Sequence, residues 1–196
     1  MAMPGVERVP WLYDAYMGVI ERFGLGRWRR WLAAGARGRV LDVGTGTGRH
    51  LPLFPAGTRV VGLEPWLPML GAARRRAPRV SLVVGDAQAL PFASGSFDTV
   101  TSGLVFCSVP DPLVGLAEVR RVLAPGGELR MLEHVRHPRR FFARLQDLGQ
   151  PAWTWIAGGC YPNRDTEANV ERAGFVIDRS SRRARGVMRR FVARPG

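Results

Sequence analysis

Val40-Leu41-Asp42-Val43-Gly44-Thr45-Gly46-Thr47-Gly48 is the stretch on which the fold of this chain turns. Its first residues close a short apolar strand, Arg39 to Val43. Glycines follow at every second position, and a helix is expected over Gly48 to Phe54. A strand that hands over directly to glycines sets backbone N–H groups against a ligand at the carboxyl edge of a sheet. Three kinds of loop do this. A dinucleotide fold wants its third glycine at 49, where this chain has Arg49, and a phosphate-cradling P-loop needs a lysine, of which the chain has none. What remains is the tighter Gly-x-Gly-x-Gly turn, which admits the amino-acid part of a ligand without phosphate chemistry.

Working outward, apolar runs alternate with amphipathic ones from residue 38 onward, as in an α/β sheet. Strands are expected at Arg39 to Val43, Arg59 to Leu63, Val80 to Val84, Phe97 to Thr101 and Glu128 to Glu133. Their apolar centres suit buried parallel strands. Helices are expected at Leu67 to Ala77 and at Pro112 to Leu123, where Leu113, Leu116, Val119, Val122 and Leu123 form one stripe. Two helices, Trp11 to Phe23 and Trp28 to Ala34, precede the sheet, and the aromatic Trp11, Tyr13 and Tyr16 suit a cover over a site. After residue 134 come a helix at Arg139 to Leu148, an apolar loop from Pro151 to Cys160 and a helix from Asp165 to Ala173. Strands Phe175 to Asp178 and Val187 to Val192, separated by Arg182-Arg183-Ala184-Arg185-Gly186, complete a closing antiparallel hairpin. A single domain is expected, with a helical cap at 1–36, a ligand-binding core at 37–134 and closing elements at 135–196.

The formal charge of +13 comes from 29 arginines against 16 acids. Arginines on one face would suit nucleic acid or an anionic membrane, but these are spread over many elements, as in an arginine-favouring genome or a thermophilic host. Nucleic-acid binding is not the expectation. Cys107 and Cys160 fit neither a disulfide framework nor paired metal-ligand spacing, so no metal site is expected. Neither a signal peptide nor a bilayer-spanning run is visible, and a cytoplasmic location is expected.

The strand ends sharpen the reading. Glu64 ends the second strand, about 20 residues beyond the loop, where an acid can take both ribose hydroxyls. The third strand ends in Gly85-Asp86-Ala87 and the fourth in Thr101-Ser102-Gly103, so all four ends face one crevice. Each acid has a plainer reading: Asp42 as a helix cap, Asp86 as a turn residue. Four such coincidences on successive strand ends are improbable together.

With the loop, Gly85-Asp86-Ala87-Gln88-Ala89-Leu90-Pro91-Phe92, Ser96-Phe97-Asp98 and Arg121-Val122-Leu123-Ala124-Pro125-Gly126-Gly127 resemble the signature blocks of class I S-adenosylmethionine-dependent methyltransferases. The resemblance covers residues 38 to 134. It implies a Rossmann-like fold with a mostly parallel seven-stranded sheet, helices on both faces and a C-terminal antiparallel hairpin. It also implies that Asp42, Gly44, Thr45, Gly46 and Gly48 serve the methionine part of S-adenosylmethionine, and Glu64 with Pro65 the ribose. Asp86 and Ala87 would serve the adenine, and Ser102 and Gly103 the methionine end, with S-adenosylhomocysteine as product. Many relatives carry cysteine where this chain has Thr45. Farther on, Glu133-His134-Val135, Gln146, Pro151-Ala152-Trp153, Gly158-Gly159-Cys160, Arg164-Asp165-Thr166 and Ala173-Gly174-Phe175 are similar to the alkyl-thiol methyltransferases and their bacterial relatives. Those in turn resemble the quinone-pathway C-methyltransferases and phospholipid N-methyltransferases.

The resemblance implies methyl transfer to a small, apolar acceptor, with a thiol favoured. C- or O-methylation of a quinone-type ring, N-methylation of a lipid amine and RNA methylation stand as alternatives. A sulfonium is already an activated electrophile, so positioning and exclusion of water are the protein's main tasks. His134 is the candidate base, or else a histidine bonding nearby backbone. Tyr13 and Tyr16 would face the sulfonium with their rings, or simply pack the first helix. Cys160 belongs either to the acceptor pocket or to the core. The arginine-aromatic block Pro138 to Leu145, followed by Trp153-Thr154-Trp155-Ile156, reads as a membrane-surface segment, a hydrophobic-substrate lid or a helix packed on its own domain.

Overall fold

The computed structural model describes residue 5 and residues 9–196. Seven strands form one sheet: β1 (Arg39–Val43), β2 (Arg59–Glu64), β3 (Ser81–Val84), β4 (Phe97–Gly103), β5 (Leu123–His134), β6 (Phe175–Arg185) and β7 (Met188–Pro195). Their order is β3-β2-β1-β4-β5-β7-β6. β1 pairs in parallel with β2 and β4, and β7 runs antiparallel to both β5 and β6. Strand order reverses between β1 and β4, and an open α/β sheet binds its ligands at the carboxyl ends of strands flanking such a reversal.

Residue parity assigns helices to faces. Leu129 and Met131 of β5, with Leu41 and Val43 of β1, share a core with Leu116, Val119 and Val122 of α4 (Pro112–Val122) and Val170 of α6 (Thr166–Arg172). On the opposite face Leu132 meets Leu32 of α2 (Gly26–Ala34) and Met17 of α1 (Pro10–Ile20). On that face too, Val60 and Leu82 meet Ala73 and Ala77 at α3 (Leu67–Arg76). Arg130 donates to the carbonyls of Trp31 and Leu32 at 3.0 Å, clipping the end of α2 to β5.

Four local expectations are corrected. The helix expected over Gly48 to Phe54 is one 3₁₀ turn, Leu51–Leu53. Pro55 disfavours helical backbone in the residue before it, and Phe54 is extended at ψ 143°, whereas Pro52 is accommodated at the start of the turn, where its missing N–H would have no intrahelical partner. The expected loop after Pro151 is instead helix: α5 runs unbroken from Arg140 to Ala157. Pro151 deprives the Asp147 carbonyl of its intrahelical partner, and on a surface helix water can take it. The closing strands are longer than expected, because β6 continues through Arg185 and the turn is only Gly186-Val187. Gly186 at φ 55° fits the first central position of a two-residue hairpin. Finally, α1 ends at Ile20, and the chain kinks at Phe23 and Gly24 (φ 115°) before α2.

Candidate active site

The glycine loop is held from behind. Asp42 is fully buried, and its carboxylate accepts from the Thr45 hydroxyl at 2.5 Å and the Thr101 hydroxyl at 2.8 Å. It thereby ties β1, the loop and β4 together, and burial pushes its pKa up to about 6. The three loop glycines all have positive φ, at 63°, 57° and 77°. Their reasons differ. A Cβ on Gly44 would lie 2.4 Å from Val105, and one on Gly48 would lie 2.9 Å from the Ala73 backbone, so these two are packing requirements. A Cβ on Gly46 would meet nothing nearer than 3.9 Å, so a side chain there would stand in the open crevice. That free space beside half-buried backbone could cradle a ligand.

Glu64 faces the same crevice from the end of β2. Its two oxygens accept from the Gly46 N–H at 3.0 Å and the Trp66 N–H at 3.1 Å. Burial raises its pKa, with those two bonds opposing. Each carboxylate oxygen keeps a further lone pair. Beyond β3, Asp86 accepts from the Gln88 N–H at 2.8 Å, and the Gln88 side chain accepts from the Asp111 N–H at 2.9 Å, which fixes the turn around buried Ala87.

At the end of β4 a residue not singled out by sequence takes a central place. Glu133, fully buried on β5, accepts with one oxygen from the Ser102 hydroxyl (2.9 Å) and from the N–H groups of Val105 (3.1 Å) and Phe106 (3.2 Å). It shapes the loop that follows Gly103, where Leu104 has an unusual φ of 65°. Burial pushes its pKa up to about 7, and its other oxygen has no hydrogen-bond partner among the described residues.

The helical cap is docked on the loop by charge. Asp14 of α1 accepts from the Thr47 hydroxyl (2.7 Å), Arg76 (2.7 Å) and Arg49 (3.0 Å). Glu21 pairs with Arg29 at 2.7 Å and also with Arg49. Arg49, read in the sequence only as the residue that excludes a dinucleotide loop, and Arg76 are thus structural partners of the cap. No spacing in the sequence connects residues this far apart.

One cavity of about 930 Å³ joins these parts. Tyr13, Gly44, Gly46, Glu64, Pro65, Asp86, Ala87, Gly103 and His134 line it, whereas Asp42, Thr45, Gly48 and Ser102 stand behind its wall. Its far end is apolar, formed by Met17 and Ile20 of α1, Leu104, Met188, and Trp153 and Ile156 of α5. There His134 lies edge-on to Trp153 with ring centroids 6.5 Å apart. Cys107 and Cys160, distant in sequence, meet at this end, and hydrogen bonds from Cys107, His134 and Trp153 hold the Cys160 thiol below its ordinary pKa.

The strand order, the glycine turn and the acid at the end of β2 together define the class I methyltransferase fold. Among solved structures, an S-adenosylmethionine-dependent methyltransferase from Mesorhizobium loti superposes with a TM-score of 0.63 at 18% identity, covering 86% of this chain and 96% of that one. The [4+2]-cyclase SpnF superposes with a TM-score of 0.64 at 20% identity, over 91% of this chain and 76% of that one. These are likenesses of fold. In sequence, a family model described as a methyltransferase domain matches residues 41–131. The chain is 38% identical over 151 residues to the thiol S-methyltransferase TMT1B of Homo sapiens, covering 72% of this chain and 62% of that protein. It is 44% identical over 132 residues to the demethylmenaquinone methyltransferase of Renibacterium salmoninarum, covering 64% of this chain and 55% of that protein. The chain therefore spans less than two thirds of the length of these relatives. Residues 41–131 thus form a methyltransferase domain, and the fold around them is that of the class I, S-adenosylmethionine-dependent methyltransferases.

Proposed function

We propose that this chain transfers a methyl group from S-adenosylmethionine to a small lipophilic acceptor, and that the acceptor atom is a thiol sulfur. The observation that carries the reading is the continuity of one cavity from the glycine loop and Glu64 to an apolar end where His134 and two cysteines are the reactive groups. The identity to thiol S-methyltransferases supports the acceptor class. A quinone-type ring is the second reading, supported by similar identity to demethylmenaquinone methyltransferases.

Bound S-adenosylmethionine supplies a methyl group already activated by its sulfonium. The chain's residues bind and orient. Gly44 and Gly46 present backbone to the amino-acid part, Glu64 offers its remaining lone pairs to the ribose hydroxyls, and Asp86 with Ala87 receives the adenine. Glu133 acts through others, holding the Gly103–Phe106 segment in shape as a positioning residue. At the apolar end the aromatic and aliphatic walls exclude water and align the acceptor. His134 is the group placed to take the acceptor's proton. A thiol with a pKa near ~8.5 needs only modest help to reach the thiolate.

Incubation with S-adenosylmethionine and a panel of alkyl thiols, aryl thiols and reduced quinones, read by mass spectrometry, tests the reading. The thiols are expected to be methylated, and methylation of the quinones alone overturns the thiol assignment. Replacing His134→Ala should lower kcat by about 10²-fold or more for weakly acidic thiols. The loss should shrink for aryl thiols that arrive ionised. An equal loss across the series removes His134 from proton transfer.

A further inference from the structure

α5 is amphipathic in the opposite sense from a helix whose outer face meets water. Its buried residues are Ala143, Thr154 and Ala157, which at 100° per residue occupy a sector of about 60°. On the opposite side Phe141, Leu145, Leu148, Ala152 and Trp155 recur at spacings of four and three, and all are exposed. Leu148 is 79% and Phe141 68% exposed. Contiguous apolar surface of this kind marks an interaction site more often than a free face.

The charges beside the stripe say what covers it. Arg140 and Arg144 run along one edge of it and Arg139 stands at the N-cap, all exposed, and no acid pairs with any of the three among the described residues. The helix's one acid, Asp147, is taken by both guanidinium nitrogens of Arg136 at 2.6 Å. The apolar surface also continues to the mouth of the cavity, which Trp153 and Ile156 of α5 share with Tyr16 of α1 and with Phe23, itself 78% exposed.

We infer that α5, together with the outer edge of α1, seats on the surface of an anionic phospholipid bilayer. The stripe lies at the acyl boundary and Arg139, Arg140 and Arg144 lie among the phosphates, the arrangement of an interfacial amphipathic helix. Among the described residues no helix is long and apolar enough to cross a membrane, so α5 lies on the bilayer. A second copy is the poorer cover, since a twofold contact through this stripe would bring two sets of unpaired arginines together. Docked in this way, the cavity mouth opens toward the lipid, and a lipophilic acceptor can enter without crossing water. That consequence rests on the proposed function, whereas the docking itself does not.

The test is co-sedimentation of the full chain with vesicles of phosphatidylcholine alone or mixed with phosphatidylglycerol, with S-adenosylhomocysteine affinity and thermal unfolding measured on every variant. Wild type is expected to bind the anionic vesicles, to bind them more weakly in high salt, and to bind neutral ones poorly. Phe141→Ser, Leu145→Ser and Leu148→Ser combined should weaken vesicle binding by about tenfold or more. The single Leu148→Ser serves as the reading if the triple variant does not fold. Arg139→Gln, Arg140→Gln and Arg144→Gln should each cost about fivefold on anionic vesicles only. Equal binding by wild type and stripe variants overturns the inference, as does a stable dimer that ignores anionic vesicles. A chain that binds S-adenosylhomocysteine but no vesicles overturns the docking alone, and one that binds vesicles but no S-adenosylhomocysteine overturns the proposed function alone.

Discussion

Gly46 and Gly48 are two residues apart and share a left-handed backbone, yet they answer to different demands. Replacing Gly46→Ala should cost about 1–2 kcal/mol of stability from its positive φ and leave the chain folded, while weakening S-adenosylhomocysteine binding, because the new methyl group stands in the crevice. Replacing Gly48→Ala adds a clash with the Ala73 backbone and should cost about 2–5 kcal/mol. Urea unfolding and calorimetry separate the two, and equal stability losses would contradict the division. Glu133 gives a second residue-scale prediction. Its pKa in the folded chain, about 7, lies above the ordinary 4.5, so the folded state holds this proton more tightly. The stability it contributes is full below about pH 4.5 and is lost as pH rises through 7. Between pH 5 and 8 the wild type should therefore lose about 1–3 kcal/mol relative to Glu133→Gln. Thermal unfolding across that range checks this, and parallel pH profiles would contradict it.

At the scale of elements, the cap formed by α1 and α2 is fastened to the glycine loop and α3 through Asp14 and Glu21. Asp14→Ala removes one carboxylate partner from each of Arg49, Arg76 and Thr47 while Arg49 keeps Glu21, and should cost about 1.5–3 kcal/mol, less in high salt. Hydrogen exchange should rise in α1 and not in α4, whose Asp111 cap and core are untouched. Uniform acceleration would show that the cap is not a separate unit. The elements that sequence reasoning located are those with strong periodicity or punctuation. The strands β1 to β4 and the stripe of α4 all have local causes. The errors fell where proline acts in two ways: Pro55 ends a helix after one turn, while Pro151 sits inside α5 without ending it. Of the candidate site, the strand-end residues were legible because one short segment places each of them. The Cys107–Cys160 meeting, the Glu133 clamp and the Asp14 network were not, since they exist only once the topology has brought separate elements together.

At the scale of the molecule, parallel strands gather four ends into one crevice at the reversal between β1 and β4, and two helices on one side and α5 on the other enclose what lies beyond it. The antiparallel β7 brings Met188 to the apolar end, paired with His134. This crevice should hold S-adenosylmethionine and its product through Gly46 and Glu64. Titration calorimetry with S-adenosylhomocysteine tests it most directly. Saturable one-to-one binding that is lost in a folded Glu64→Ala variant is the expected result, and a folded wild-type chain that gives no binding heat at any temperature tried would contradict it.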